Sequence, residues 1–293
     1  MAVCLGVAVI LFFRGTERNP PQILWTMINV NDLDGQGDAN LLEFRGGKNF
    51  LIDAGQDGRV LVPFLAKKGV RHLDKVIISH AHKDHYGGIR ALLASGMRID
   101  EVVMALPPRE ECNAERPWGC DYEDVKSLFQ VLRSAGVSVA NPASGKELFE
   151  AHGRSLEILY AFDGEHSPFG HTDINGTSLV IRLTVGPTSV LFTGDLNGPI
   201  GTYLVGEQVN LHADILKVPH HGTEATVPTA FLDRVHPQVA LVPSPKILWL
   251  SERSRRIREY LQDHRIKTYV NGIDGTVTVA IGEKGYSIST TAH

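Results

Sequence analysis

The sequence predicts an α/β protein folded as a four-layer αββα sandwich with two pseudo-symmetric halves. Short apolar runs alternate with helical patterns along the chain. Each half shows the order strand, strand, helix, strand, and the last strand leads to a histidine, His80 or His220. His212 follows His72 at the same interval at which His220 follows His80. This favours an internal duplication over two α/β units that share a period by default, and two such halves would pack sheet on sheet with helices outside.

The composition indicates one globular domain. The chain has 293 residues, of which 43% are hydrophobic and 21% are charged, which is ample for a core. The formal net charge is −4, whereas a protein that grips nucleic acid non-specifically is usually basic. Tight non-specific binding to a polynucleotide is therefore not expected, although a local basic groove is compatible with this charge.

An uninterrupted apolar segment occupies residues 2–13. As a helix it would span about 18 Å, whereas a bilayer core of about 30 Å requires roughly 20 residues. We interpret it as a signal-peptide hydrophobic region or a membrane anchor, with a buried strand or helix as the alternative. The chain is accordingly divided into this segment and a linker, residues 1–21, and one folded domain, residues 22–293.

Two cysteines, Cys112 and Cys120, lie close together in a polar stretch that contains proline and glycine. Such a pair in a loop of an exported protein is expected to form a disulfide, and two free thiols in a cytosolic protein are the alternative. Together with the apolar segment, the cysteines predict an extracytoplasmic protein, secreted or anchored to a membrane.

The elements of the first half follow from periodicity and from turn residues. Gly46-Gly47 predicts a hairpin turn, and Gly69 predicts the end of a helix. A helix between the halves is predicted over 121–135, where apolar residues recur at helical spacing. Up to residue 160, strands are predicted at 23–30, 40–45, 49–53, 75–78 and 155–160, and further helices at 60–68 and from Ile89.

The second half repeats this plan. A polar loop over 164–176 separates it from the preceding strand. Strands are predicted at 178–183, 189–193, 215–219 and 239–242, helices at 200–205 and 251–264, and two last strands, 268–270 and 276–280, that finish the sheet.

One loop carries the chemistry. Residues 79–88 follow a buried strand and hold His80, His82, Asp84 and His85 within six positions. Four side chains so close together would repel one another or lack hydrogen-bond partners without a cation, so a metal site is favoured over four ordinary surface residues. Imidazole and carboxylate ligands suit Zn²⁺, and also Mn²⁺ or Fe²⁺. Asp195 and His220 also follow short apolar strands, whose carboxyl ends would converge with this loop at one sheet edge.

The pattern His80-x-His82-x-Asp84-His85 resembles the signature loop of the metallo-β-lactamase superfamily. The resemblance implies the αββα fold and two divalent cations, with zinc expected and manganese as the alternative. It assigns the first two histidines to one metal and Asp84 and His85 to the second. It further implies the roles of three distant residues: Asp195 as the bridge, His220 as the last ligand of the second metal with His221 as its alternative, and His171 as the third ligand of the first metal, although Asn175 stands closer to the usual position.

The implied chemistry is hydrolysis by a metal-bound hydroxide. Two cations lower the pKa of a bridging water and clamp both oxygens of a displacement at phosphorus, or polarise a carbonyl. Asp84, beside that water, is predicted to accept its proton.

Residues 35–39 and 216–223 further resemble the metallo-β-lactamase-like domain of ComEC-type competence proteins. This resemblance implies phosphodiester cleavage, with single-stranded DNA as a candidate substrate. A carbonyl hydrolase acting on a lactone, thioester or β-lactam, and a non-enzymatic protein with structural metal, are the alternatives. Residues 249–256 lack the family's His-Pro element. Four arginines in and just after this stretch form either a phosphate-binding face or a solvated helix face: Arg253, Arg255, Arg256 and Arg258.

Overall fold

Two β-sheets form the inside of the molecule. The computed structural model describes residues 20–31, 35–117, 119–164, 173–224 and 226–292. Among these residues, the first sheet has eight strands in the order β15-β14-β1-β2-β3-β4-β5-β6, and the second has seven in the order β13-β12-β11-β10-β9-β8-β7.

The strands have the following bounds: β1 Ile23–Met27, β2 Ala39–Phe44, β3 Asn49–Ala54, β4 His72–Ile77, β5 Arg98–Val103, β6 Ser138–Ala140, β7 Glu147–Ala151, β8 Arg154–Tyr160, β9 Val180–Val185, β10 Thr188–Phe192, β11 Ile215–Lys217, β12 Val239–Val242, β13 Lys267–Val270, β14 Val277–Gly282 and β15 Gly285–Thr290. The helices are α1 Leu61–Lys68, α2 Lys83–Tyr86, α3 Ile89–Ala94, α4 Arg109–Ala114, α5 Tyr122–Ser134, α6 Gly198–Gly206, α7 Thr229–Val235, α8 Lys246–Leu250, α9 Arg255–Asp263 and α10 Asn271–Asp274.

Three apolar clusters confirm the four-layer αββα sandwich. The central cluster draws buried residues from both sheets, and Trp25 of β1 meets Phe192 of β10 edge to face at 4.8 Å between ring centroids. A second cluster joins the first sheet to α1, α3 and α5, and a third joins the second sheet to α6, α7 and α9. Each sheet therefore buries one face against the other sheet and one against helices.

The two halves share one pairing pattern. In both β1–β6 and β8–β13, the first three strands pair antiparallel and the next three pair parallel. Asp74 of β4 accepts the backbone N–H of Asn49 at 2.9 Å, and Asp214, just before β11, accepts that of Ser189 at 2.7 Å. An aspartate at the equivalent position thus binds the equivalent hairpin in each half, which confirms the predicted pseudo-symmetry.

The last strands differ from the prediction. Strand β13 does extend the second sheet beside β12, but β14 crosses to the first sheet and pairs with β1. The alternating apolar residues of β14 would fit the inner face of either sheet, so its sequence did not reveal which sheet it joins. The helix predicted over 251–264 is also interrupted, because a 3₁₀ turn at Glu252–Ser254 precedes α9.

Some predicted features lie outside the described residues, among them the apolar segment 2–13 and His171. Within the described part of the chain, no helix is long and apolar enough to cross a bilayer. The disulfide between Cys112 and Cys120 is present and closes the loop between α4 and α5.

We expect Asp214→Ala to lower the free energy of unfolding by about 1–2 kcal/mol, because the Ser189 backbone N–H and hydroxyl lose the half-buried carboxylate that accepts their hydrogen bonds. Asp74→Ala should have a similar effect in the other half. Chemical denaturation measures both, and Asp57→Ala, which removes an exposed pairing with Arg59, is the control with an expected change below about 0.5 kcal/mol. Equal stability of all three variants would contradict the fastening role.

Candidate metal centre

Loops from both sheets meet at one end of the sandwich. The signature loop follows β4 of the first sheet, while Asp195 follows β10 and His221 follows β11 of the second sheet. Because β10 and β11 run parallel, their carboxyl ends lie at the same edge. The two halves therefore contribute different ligand candidates to one centre.

Four side chains form a compact candidate site, which we call the second site: Asp84, His85, Asp195 and His221. One ligand atom from each lies within 4.8 Å of the others. Asp195 faces two imidazoles, since its Oδ1 lies 3.3 Å from His85 Nε2 and its Oδ2 lies 3.3 Å from His221 Nε2. His221 Nε2 is also 3.3 Å from Asp84 Oδ2. Both contacts lie within the second site and make Asp195 a candidate ligand there, while its role as a bridge between two metals stays a prediction.

The second site takes its last histidine from position 221, whereas the main prediction placed His220 there. Both residues adopt a positive φ, 49° at His220 and 52° at His221, within a turn opened by Pro219. His221 is fully buried and points inward, and its Nδ1 donates to Pro243 O at 2.7 Å. His220 instead lines the cleft beside Asp195. Two adjacent histidines on such a turn point in different directions, and spacing alone could not distinguish them.

The other predicted histidines lie next to this cluster and define what we call the first site, His80 and His82. The ring of His80 lies 4.2 Å from that of His85 and 4.7 Å from that of His82, measured between centroids. The predicted third ligand, His171, is outside the described residues. Asn175 is described, on the 3₁₀ turn Ile174–Thr177, and its Oδ1 is buried without a hydrogen-bond partner.

Three imidazoles of the centre are each held through one ring nitrogen, and His80 and His85 leave their Nε2 atoms without a hydrogen-bond partner. His80 Nδ1 lies 3.0 Å from Ser79 Oγ, and His82 Nε2 lies 2.6 Å from Glu115 Oε2. His85 Nδ1 lies 2.9 Å from Asp53 Oδ2, which is itself buried at the end of β3. Partners of this kind set the tautomer and ring orientation of metal-binding histidines.

Several buried polar atoms at the centre have no hydrogen-bond partner. Such atoms are costly to bury unless a cation or hydrogen bond satisfies them. Imidazole nitrogens and carboxylate oxygens in this arrangement fit divalent cations, zinc in particular. The atoms are His80 Nε2, His85 Nε2, Asp195 Oδ1, His220 Nδ1 and His221 Nε2.

The protonation equilibria reflect a strongly negative centre. Burial opposes a charge on His221, but Asp195 and Asp84 outweigh it and raise its pKa to about 10. Burial likewise acts to raise the pKa of Asp84, yet His85 and His221 hold it at about 2. An ionised Asp84 carboxylate in this cluster is a suitable ligand for a cation, and its role as a proton acceptor stays a prediction.

Three acids beside the site, Asp38, Asp53 and Glu115, were not assigned to it from the sequence, and the sequence suggests Lys217 only as a contact for a substrate phosphate. Asp53 and Glu115 hold His85 and His82, as described above. Lys217 is 1% exposed, pairs with Asp38 from the other sheet, and donates to Gly194 O at 2.9 Å. Lys217 is therefore unavailable to a substrate phosphate. The one available sequence signal was the position of Asp53, which ends its hairpin as Asp195 ends the second.

A cleft of about 860 Å³ opens directly over the centre. His82, Asp84, Asp195 and His220 form part of its floor, and α8 with the residues after it forms one wall. Lys83 and Arg253 bring positive charge to the lining. Of the four candidate arginines, only Arg253 lines this cleft, and it pairs with Glu224 at 3.1 Å. The others bond elsewhere, Arg255 to Glu252, Arg256 to Val227 O and Arg258 to Trp249 O.

Two curated bacterial proteins are similar to most of this chain. ComE operon protein 3 of Bacillus subtilis is 26% identical over 219 residues, which are 75% of this chain and 26% of that protein. Competence protein ComA of Neisseria gonorrhoeae is 28% identical over 262 residues, 86% of this chain and 32% of that protein. The chain thus spans about a quarter to a third of the length of these relatives.

Solved structures share the fold. A crystal structure of a metal-dependent hydrolase of the beta-lactamase superfamily matches 89% of this chain and 99% of its own chain, with a TM-score of 0.54 and 14% identity. CmlA beta-hydroxylase matches 89% of this chain and 54% of its own, with a TM-score of 0.54 and 15% identity. The family model described as the metallo-beta-lactamase superfamily matches residues 32–244, a range that includes every ligand candidate named above. The chain belongs to the metallo-beta-lactamase superfamily of metal-dependent hydrolases.

Proposed function

We propose that the chain is a phosphodiesterase that uses two divalent cations, zinc in the first instance, to cleave single-stranded DNA. The observation that carries the proposal is the form of the cleft, which places the second site, with His80 and His82 beside it, below an open, partly cationic groove. One of its relatives is named Competence protein ComA, which agrees with a DNA-related substrate.

Different residues of the site are proposed to bind the cations and the substrate phosphates. When bound, divalent cations supply a water of low pKa and neutralise charge on the phosphoryl oxygens of an in-line displacement. Asp84, His85, Asp195 and His221 hold one cation, and His80 and His82 hold the other. Lys83 and Arg253 attract the phosphates that flank the scissile bond, since both are exposed and line the groove.

The wall formed by α8 suits unpaired bases. Ile247 and Leu250 expose 82% and 55% of their surface, and Ile247 lines the cleft with Leu248 and Pro245. An unpaired nucleotide presents an apolar base face to such a wall, whereas a duplex keeps its bases stacked inside. The wall therefore favours single strands over duplexes.

Asp195→Ala should reduce metal-dependent cleavage of a labelled single-stranded oligonucleotide by about 100-fold or more. This loss is larger than the loss expected when a residue that only hydrogen-bonds to a metal ligand is replaced. Asp195 touches both histidines of the second site. Asp263→Ala, at the exposed end of α9, is the matched control and should cleave normally. Intact cleavage by Asp195→Ala would overturn the assignment, and so would turnover of a lactone, thioester or β-lactam panel without any phosphodiester cleavage.

Ile247→Ser should raise KM for a single-stranded oligonucleotide several-fold and leave kcat nearly unchanged, because the wall contacts bases and not the reacting phosphate. Ile273→Ser removes an equally sized side chain that is 44% exposed but does not line the cleft, so it should behave as the parent protein. Steady-state kinetics on the same oligonucleotide compares the two. Identical KM values for both variants would exclude the wall as a base-binding surface.

We also propose an extracytoplasmic location, supported by the Cys112–Cys120 disulfide, because such bonds persist in oxidising compartments. When intact cells are treated with an alkylating reagent, Cys112 and Cys120 should resist modification, and both should react after the protein has been reduced. Rapid alkylation of both thiols without a reductant would place the chain in a reducing compartment.

A further inference from the structure

Glu115 connects three segments around His82. Its Oε2 lies 2.6 Å from His82 Nε2, and its Oε1 accepts the backbone N–H of Ile174 at 2.7 Å. One side chain therefore ties the signature loop to the turn Ile174–Thr177. Within the loop that carries Glu115, the Gly119 backbone N–H donates to the Glu115 carbonyl oxygen at 3.0 Å.

The loop that carries Glu115 is closed at both ends. Cys112 and Cys120, eight positions apart, flank it and are joined by the disulfide, and both are almost fully buried. Gly119 packs against the pair, since a Cβ at this position would lie 2.5 Å from Glu115 Oε2 and 3.2 Å from His82 Nε2. Gly119 thus lets the loop backbone lie close to His82, and the disulfide limits how far the loop can move away from it.

The bond to Glu115 decides which nitrogen His82 offers. A carboxylate can only accept, so His82 Nε2 carries the proton and Nδ1 keeps the free lone pair. Both carboxylate oxygens are engaged, which restricts rotation of Glu115 and so of the imidazole. By contrast, the second site takes its support from Asp53 and from Pro243 O, on other segments.

We propose that Glu115 is a positioning residue for the first metal, and that the Cys112–Cys120 disulfide holds it in that role. The carboxylate directs His82 Nδ1 toward the first site, and its bond to Ile174 fixes the turn that bears Asn175. The inference rests on the metal centre of the proposed function but not on the identity of the substrate. Its consequence is selective: loss of the loop closure weakens the first site and spares the second.

Metal titration tests this selectivity. The parent protein, Glu115→Gln and the double variant Cys112→Ser/Cys120→Ser are titrated with Zn²⁺ against a chromophoric chelator, and with Co²⁺ while the visible spectrum is recorded. The parent is expected to bind two equivalents. Both variants should bind one equivalent as the parent does and the other about 10- to 100-fold more weakly, the range for outer partners of metal ligands. Glu110→Gln, an exposed acid on the same helix α4, is the control and should match the parent.

Combining the changes separates positioning from a general loss of structure. If the disulfide acts through Glu115, adding Glu115→Gln to the double cysteine variant should weaken metal binding at the first site little further. Two equivalents bound with parental affinity by every variant would overturn the proposal and leave the metal centre standing. Equal weakening of both equivalents would also overturn it, since that result indicates a global effect. A parent protein that binds fewer than two equivalents would refute the dinuclear centre itself.

Discussion

The accumulation of buried negative charge at one end of the two sheets is the constraint on which the structure depends. Asp38, Asp53 and Asp195 are each at most 1% exposed, and Asp84 stands beside them at the cleft floor. Carboxylates withdrawn from water in this way are stable only near matched positive charge. Lys217 balances Asp38, and the carboxylates of Asp195 and Asp84 raise the pKa values of His85 and His221 against the effect of burial. Divalent cations in the proposed centre would balance the remaining negative charge and supply the chemistry of hydrolysis.

The duplicated architecture explains how so many charged groups can meet. Each half has the same six-strand pairing and the same aspartate fastening its hairpin, at Asp74 and Asp214. The halves differ where their parallel strands end. The first half supplies a contiguous histidine-rich loop, and the second supplies Asp195, His221 and Lys217 from separate strand ends. Neither half holds a complete centre, so packing of the two sheets assembles the site and also buries the apolar faces between them.

Support for the ligands comes from parts of the chain that do not themselves bind metal. Asp53 ends β3 and holds His85, whereas Glu115 belongs to a loop closed by a disulfide and holds His82. The two candidate sites thus depend on different segments, although the ring contact between His80 and His85 joins them. Above them, the wall at α8 combines exposed apolar side chains with Arg253, so that recognition of the substrate is separated from the buried electrostatics below.

The sequence by itself determined the αββα class, the two-half organisation and the loop from His80 to His85, because these depend on local periodicity and short spacings. It also indicated Asp195, which ends its hairpin as Asp53 does. Only the tertiary structure decided that His221 points into the second site, that β14 joins the first sheet, and that Arg253 alone of its run lines the cleft. Those outcomes depend on side-chain direction and on contacts between residues far apart in the chain. Glu115 became visible for the same reason: an acid in a polar loop acquires meaning only when folding brings it within hydrogen-bond distance of His82.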